Sequence, residues 1–258
     1  MTIKITLILS ALMIFSSTAS LAAISPSEVV NKNKEKPWQV WRTDDDLSVS
    51  YRISGYNDLI EIKAEATLTS SLAGFIYFLE DLPQTPAWLD NAESAKIIKQ
   101  ISANENIFVI RFEGLWPISA REMVVHSRYW QNEDLSLEIK VTDAADSAAV
   151  DSAAVNGLVI DDFFIDNTIE TQNAIRMQVL SAHWKIVPTK VNQIDITYQF
   201  TVDPKGNIPQ WLTKPVTLNG IWTTLNNIRE QLPKSAWQQQ VNKNIQEVVK
   251  NSAVDNLR

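Results

Sequence analysis

The chain has 258 residues, 45% of them hydrophobic, with 30 acidic against 23 basic side chains, a formal charge of −7 and no cysteine. That length holds one large domain with a substantial core, and the lack of cysteine removes both disulfides and a lipidated N-terminal cysteine. An acidic chain without a basic cluster argues against nucleic acid and against electrostatic docking on anionic lipid, but not against an uncharged apolar ligand.

Residues 1–22 read as a signal peptide. Lys4 stands in a short polar n-region, and Ile5–Phe15 is an apolar run too short to span a bilayer. Ser20-Leu21-Ala22 sets small residues at −3 and −1 of a cut after Ala22. The alternative is an uncleaved anchor helix. Export combined with a cysteine-free chain predicts a periplasmic or secreted bacterial protein.

Residues 23–37 form a polar lead-in, and from Trp38 the period becomes two. Leu47, Val49, Tyr51 and Ile53 alternate with polar neighbours, as do Ile60, Ile62, Ala64 and Ala66; such runs are antiparallel strands with one dry face. Between Ser70 and Leu82 the period turns helical, and Pro83 and Pro86 end it. Strands resume at 96–102, 107–113, 121–130 and 135–141. Asp146–Val150 is then repeated without change as Asp151–Val155, which reads as an insertion in an exposed loop, where added length costs little closure entropy. Leu158–Ile165, apolar and acidic, could fold back over the domain. Two long strands follow at 174–187 and 191–202, with a turn expected at Pro188-Thr189-Lys190.

Asp203-Pro204-Lys205-Gly206 has the residues of a type I turn, and Asn207 and Pro209 are suited to opening a helix. At 100° per residue, Trp211, Pro215, Leu218, Ile221, Trp222, Leu225, Ile228 and Leu232 fall on one side. Thr213, Thr217, Gly220, Thr223, Thr224, Asn227, Glu230 and Gln231 take the other. The domain would end at Leu232. Residues 233–258 form a tail in which Trp237, Val241, Ile245, Val248 and Val249 recur at helical spacing, packing back on the body as a second helix.

About nine strands dry on one face must bend around a shared interior, and a long amphipathic helix can cover that face. A curved α+β arrangement of this kind leaves either an apolar pocket or a solid core, and periodicity does not separate the two.

Three stretches carry a family resemblance. Leu115-Trp116-Pro117-Ile118-Ser119-Ala120-Arg121-Glu122 resembles the Trp-Pro…Arg-Asp signature of START domains, the StAR-related lipid-transfer modules. Asp203-Pro204-Lys205-Gly206-Asn207-Ile208-Pro209-Gln210-Trp211 resembles their Asp-Pro-x-Gly-x-Ile-Pro-x-Trp lead into the final helix, and Ala182–Pro188 resembles the stretch before the penultimate turn. The likeness spans residues 38–232. It departs at Glu122, where Asp is usual, and at the duplicated loop near the family's tunnel mouth. It implies a helix-grip fold, a curved antiparallel β-sheet wrapped around a long C-terminal α-helix. It also implies an internal apolar cavity for one lipid or sterol-like molecule, the terminal helix as a lid, transient membrane contact, and no catalytic residue, metal or cofactor.

On that resemblance the cavity wall is expected at Phe108, Ile110 and Phe112, then Ile196, Tyr198 and Phe200, facing Leu218, Ile221, Trp222 and Leu225. Trp211 is expected as a structural plug. Arg121 and Glu122 point to opposite faces of a strand. One of them could anchor a lipid head group, the alternative being ion pairs that fix the Trp116-Pro117 turn. Arg111 and Arg176 are further anchor candidates. Two other function classes stay open: a helix-grip enzyme, hydrolase or cyclase-like, and a protein-interaction scaffold. Ser181 and His183 share a strand face, but no Gly-x-Ser-x-Gly elbow exists. His126, like His183, falls within a predicted strand, and Asp44-Asp45-Asp46 reads as a solvated turn.

Overall fold

The computed structural model describes residues 36–56, 59–114, 117–146, 174–206, 208 and 210–249. The signal peptide, most of the lead-in, Trp116, the duplicated loop, Leu158–Ile165 and the last nine residues lie outside the described residues.

Among the described residues ten strands form one sheet. They are β1 (Gln39–Thr43), β2 (Leu47–Ile53), β3 (Ile60–Leu68), β4 (Ala92–Ser102), β5 (Glu105–Phe112), β6 (Arg121–Gln131), β7 (Leu137–Asp143), β8 (Ile175–Arg176), β9 (Gln178–Lys190) and β10 (Gln193–Asp203). Their order is β1-β2-β3-β10-β9-β7-β6-β5-β4, antiparallel throughout, with two-residue β8 joining β6 in parallel. The sheet is curved and not closed.

Period-two patterning sets the register. Ile62, Ala64 and Ala66 lie opposite Phe200, Tyr198 and Ile196, so a slip of one residue would turn each apolar set to water. The β9–β10 hairpin reverses later than its proline predicts. β9 continues through Pro188, and the turn falls at Val191-Asn192, with Asn192 at φ 57°, a conformation Asn tolerates. Pairing of β9 with β7 stops at Ile186, so the missing N–H of Pro188 breaks no ladder on that side.

Among the described residues three helices cover one face: α1 (Leu72–Glu80), α2 (Thr85–Trp88) and α3 (Gln210–Gln231). Ser71 caps α1, its Oγ accepting from the Gly74 N–H (3.0 Å). The Glu247 carboxylate accepts from Leu72 N–H (3.0 Å) and Ala73 N–H (2.8 Å), a charge where a helix N-terminus favours one. The turn before α3 is not type I, because Lys205 has φ 52° and Gly206 φ 72°. Asp203 Oδ1 accepts from the Lys205 N–H (2.9 Å) and holds this left-handed pair. A Cβ at residue 206 would also lie 3.1 Å from Ile175 Cδ1, so glycine is required twice over.

The tail is not a second helix. Two 3₁₀ turns, Leu232–Lys234 and Ala236–Gln239, are followed by an irregular stretch to 249. Val241 is 83% exposed, although Ile245 is buried. The tail spends its polar groups on the body. Gln246 and Gln131 bond in both directions (2.8 and 2.9 Å), and Glu247 bonds α1.

The main core lies where α1 and α3 meet β2, β3, β9 and β10. Phe75, Ile62, Ile186, Leu218, Leu225 and Ile228 are its buried centre. There helix and sheet mesh completely. Toward β4, β5 and β6 they part.

Candidate functional site

A cavity of about 390 Å³ occupies that gap, between the helices on one side and β5, β6, β9 and β10 on the other. Alternation decides its strand wall. Even-numbered residues of β5 and odd-numbered residues of β6 point in, so Phe108 and Ile110 lie beside Val125 and Met123 on one wall, with Phe112 beside Arg121. From β9 and β10 come Trp184, Tyr198 and Phe200, stacked in a row with ring centroids 3.9 and 4.8 Å apart. Burial pushes the Tyr198 phenol pKa up.

Six of the ten expected wall residues border the cavity, Phe108, Ile110, Phe112, Tyr198, Phe200 and Ile221, as does the anchor candidate Arg121. Ile196, Leu218, Trp222 and Leu225 do not. Ile196, Leu218 and Leu225 are fully buried in the meshed core. Trp222 packs edge-on against Trp41, centroids 6.2 Å apart, with the Arg42 guanidinium 4.2 Å from its ring. Trp211 plugs nothing; it is 76% exposed.

The α3 wall instead comes largely from the side opposite the bulky apolar stripe. Thr213, Thr217, Gly220 and Thr224 border the cavity together with Val216 and Ile221. Their hydroxyls are partly spent at home: Thr217 donates to the Thr213 carbonyl (2.8 Å), and Thr224 Oγ1 accepts from the Asp90 N–H (3.1 Å). A stripe of small residues leaves room where the bulky stripe closes it. The bulky side chains anchor the helix, and the small ones make the space.

The two ends of the cavity differ. At one, Arg121 donates to the carbonyls of Ser119, Pro204 and Lys205, clasping the loop before β6 to the turn before α3. Glu122 lies on the opposite face beside Arg111 and Arg176, its pKa raised by burial and drawn back by those two charges. Arg111 pairs with Glu93 (2.8 Å) and Arg176 with Asp143 (3.4 Å), and neither borders the cavity. The other end is polar. Glu80, Asn104, Asn106, Ser127 and Tyr129 border it, and burial pushes the Glu80 carboxyl up to about 7. Sequence reading missed this group, although Asn106 continues the parity of Phe108 and Ser127 that of Arg121. Glu80 carried no sequence signal beyond lying one helical turn after Ile76. Arg121 to Tyr129 along one strand spans ~26 Å.

Both histidines sit away from the cavity. His126 Nε2 is 2.7 Å from Glu105, and His183 contacts Glu138 on the exposed face it shares with Ser181.

An open, curved antiparallel sheet gripping a long C-terminal helix over an apolar cavity is the helix-grip fold of START domains. A crystallised fragment of the STAR-related lipid transfer protein from Xanthomonas axonopodis superposes with a TM-score of 0.59 at 21% identity, covering 76% of this chain and 99% of that one. Human StAR-related lipid transfer protein 5 gives 0.60 at 14% identity, covering 81% and 91%. In sequence, an uncharacterised protein of Pseudomonas aeruginosa is 22% identical over 203 residues, 76% of this chain and 87% of that protein. No family model matches the chain.

Proposed function

We propose that this protein binds one lipid or other hydrophobic small molecule in the cavity and carries or presents it outside the cytoplasm, without catalysis. The observation that carries this is the partition between helix and sheet: meshed at β2 and β3, and parted over β5 and β6 by a space walled with aromatic and aliphatic side chains. A volume of about 390 Å³ is in the range of small-molecule sites. Apolar burial, worth about 25 cal/mol per Å² removed from water, supplies the affinity. The lipid-transfer names of the solved structures with this fold support the ligand class. The ligand enters when the first turns of α3, or the loops beside them, swing away from Arg121.

Native mass spectrometry of protein purified from a periplasmic extract tests the reading. One bound hydrophobic molecule per chain is expected, with an N-terminus at Ala23. A protein that is empty in every preparation and takes up no neutral lipid probe would end the proposal, and recovery in the cytoplasmic fraction with Met1 intact would end its extracytoplasmic part.

A further inference from the structure

The polar end of the cavity is assembled from three elements. Asn106 and Ser127 lie directly opposite each other across β5 and β6. Tyr129 follows Ser127 on the same face, and Asn104 Nδ2 donates to the Tyr129 carbonyl (2.6 Å). Glu80, the last residue of α1, completes the group; the Tyr129 phenol pKa is pushed up first by burial and further by the nearby Glu80 charge. Asn106 is only 9% exposed, and its Oδ1 has no hydrogen-bond partner among the described residues. An unpaired buried carbonyl oxygen is destabilising until something donates to it.

Charge points the same way. Arg121 is the sole basic side chain among the described residues that border the cavity; Glu80, Asp90 and Glu113 are acidic. The Arg121 guanidinium is engaged with three carbonyls at the far end. No described residue on the wall near Asn106 would neutralise a buried anion, and an unpaired buried charge is strongly disfavoured.

We propose that this end is a head-group subsite for a hydrogen-bond donor, the hydroxyl or amine of an otherwise apolar molecule, with Asn106 Oδ1 and the Glu80 carboxyl as acceptors, and that it rejects anionic head groups. This rests on the cavity being a ligand site. The hydrocarbon then runs toward Arg121, along Phe108, Val125 and Tyr198. At pH 8, above the value of about 7 to which burial raises the Glu80 carboxyl, the wall carries a negative charge that an ammonium or hydroxyl meets favourably and a carboxylate does not.

The test is displacement of Nile red, a neutral apolar dye, from the purified protein at pH 8 by dodecanol, dodecylamine and dodecanoate. The alcohol and the amine are expected to displace the dye at concentrations about tenfold below the carboxylate. Glu80→Gln is expected to narrow the gap by improving dodecanoate, and Asn106→Leu to raise the dissociation constants of the alcohol and the amine, each corrected for the affinity of the variant for the dye. Equal potency of the three compounds on the unaltered protein, or preference for dodecanoate, overturns the subsite and leaves cavity binding standing. If neither the dye nor any of the three binds, the ligand-site reading falls with it.

Discussion

The Glu80 carboxyl has a stability consequence that can be read without any ligand. Its folded pKa of about 7 lies above the 4.5 of an unperturbed group. A carboxyl shifted in that direction favours folding fully below about 4.5, and the contribution is lost as the pH climbs through about 7. Glu80→Gln cannot ionise, so its urea midpoint is expected to gain on that of the unaltered protein between pH 5 and pH 8. A constant difference would mean that the carboxyl is solvated. Trp222 gives a second test at this scale, because it holds α3 to Trp41 and Arg42 without bordering the cavity. Trp222→Ala is expected to cost about 2–3 kcal/mol, below the ~3–5 of a fully buried tryptophan. Lipid stoichiometry in native mass spectra should stay unchanged, and its loss in a folded variant would put Trp222 on the binding path.

α3 behaves as two segments. In its second half Leu218, Ile221, Leu225 and Ile228 are buried, and Arg229 forks onto Asp44 (3.1 Å for both contacts). Before that, Trp211 and Pro215 are exposed, and Pro215 sits inside the helix. A proline there has no N–H for the carbonyl four residues back and so weakens the turn. The segment next to the Arg121 clasp is therefore the part most easily lifted. Pro215→Ala is expected to stabilise the protein by about 1–3 kcal/mol and to slow release of a bound fluorescent lipid in stopped-flow measurements. A stabilised variant with unchanged release would place the gate elsewhere.

At the scale of the whole molecule, the space between helix and sheet sets stability against function. Gly220 stands on the α3 wall, and a Cβ there would meet nothing closer than Asp90 Oδ2 at 3.4 Å. Gly220→Leu improves helix propensity by about 1 kcal/mol and directs a branched side chain into the cavity. Thermal denaturation should show a rise in midpoint while lipid uptake falls. Uptake that survives in the stabilised variant would argue that ligands do not lie along this wall.

Strand positions, the long terminal helix and the family likeness were legible in the chain because they depend on local periodicity and on short runs such as Asp203–Gly206. Leu218 and Leu225 were misplaced for one reason. An apolar stripe marks what a helix buries, and Leu218 and Leu225 are indeed buried, but in the core and not on the cavity. Thr213, Thr217 and Gly220 border the space through their small size, which hydropathy does not register. The polar end depends on α1, β5 and β6 meeting from distant parts of the chain, and Glu80, Asn106 and Ser127 share no spacing that would join them. The sequence by itself determined which segments become strands and which faces stay dry. Only the tertiary structure, through the curvature of a sheet that α3 touches on one side alone, decided where a gap remains and which side chains line it.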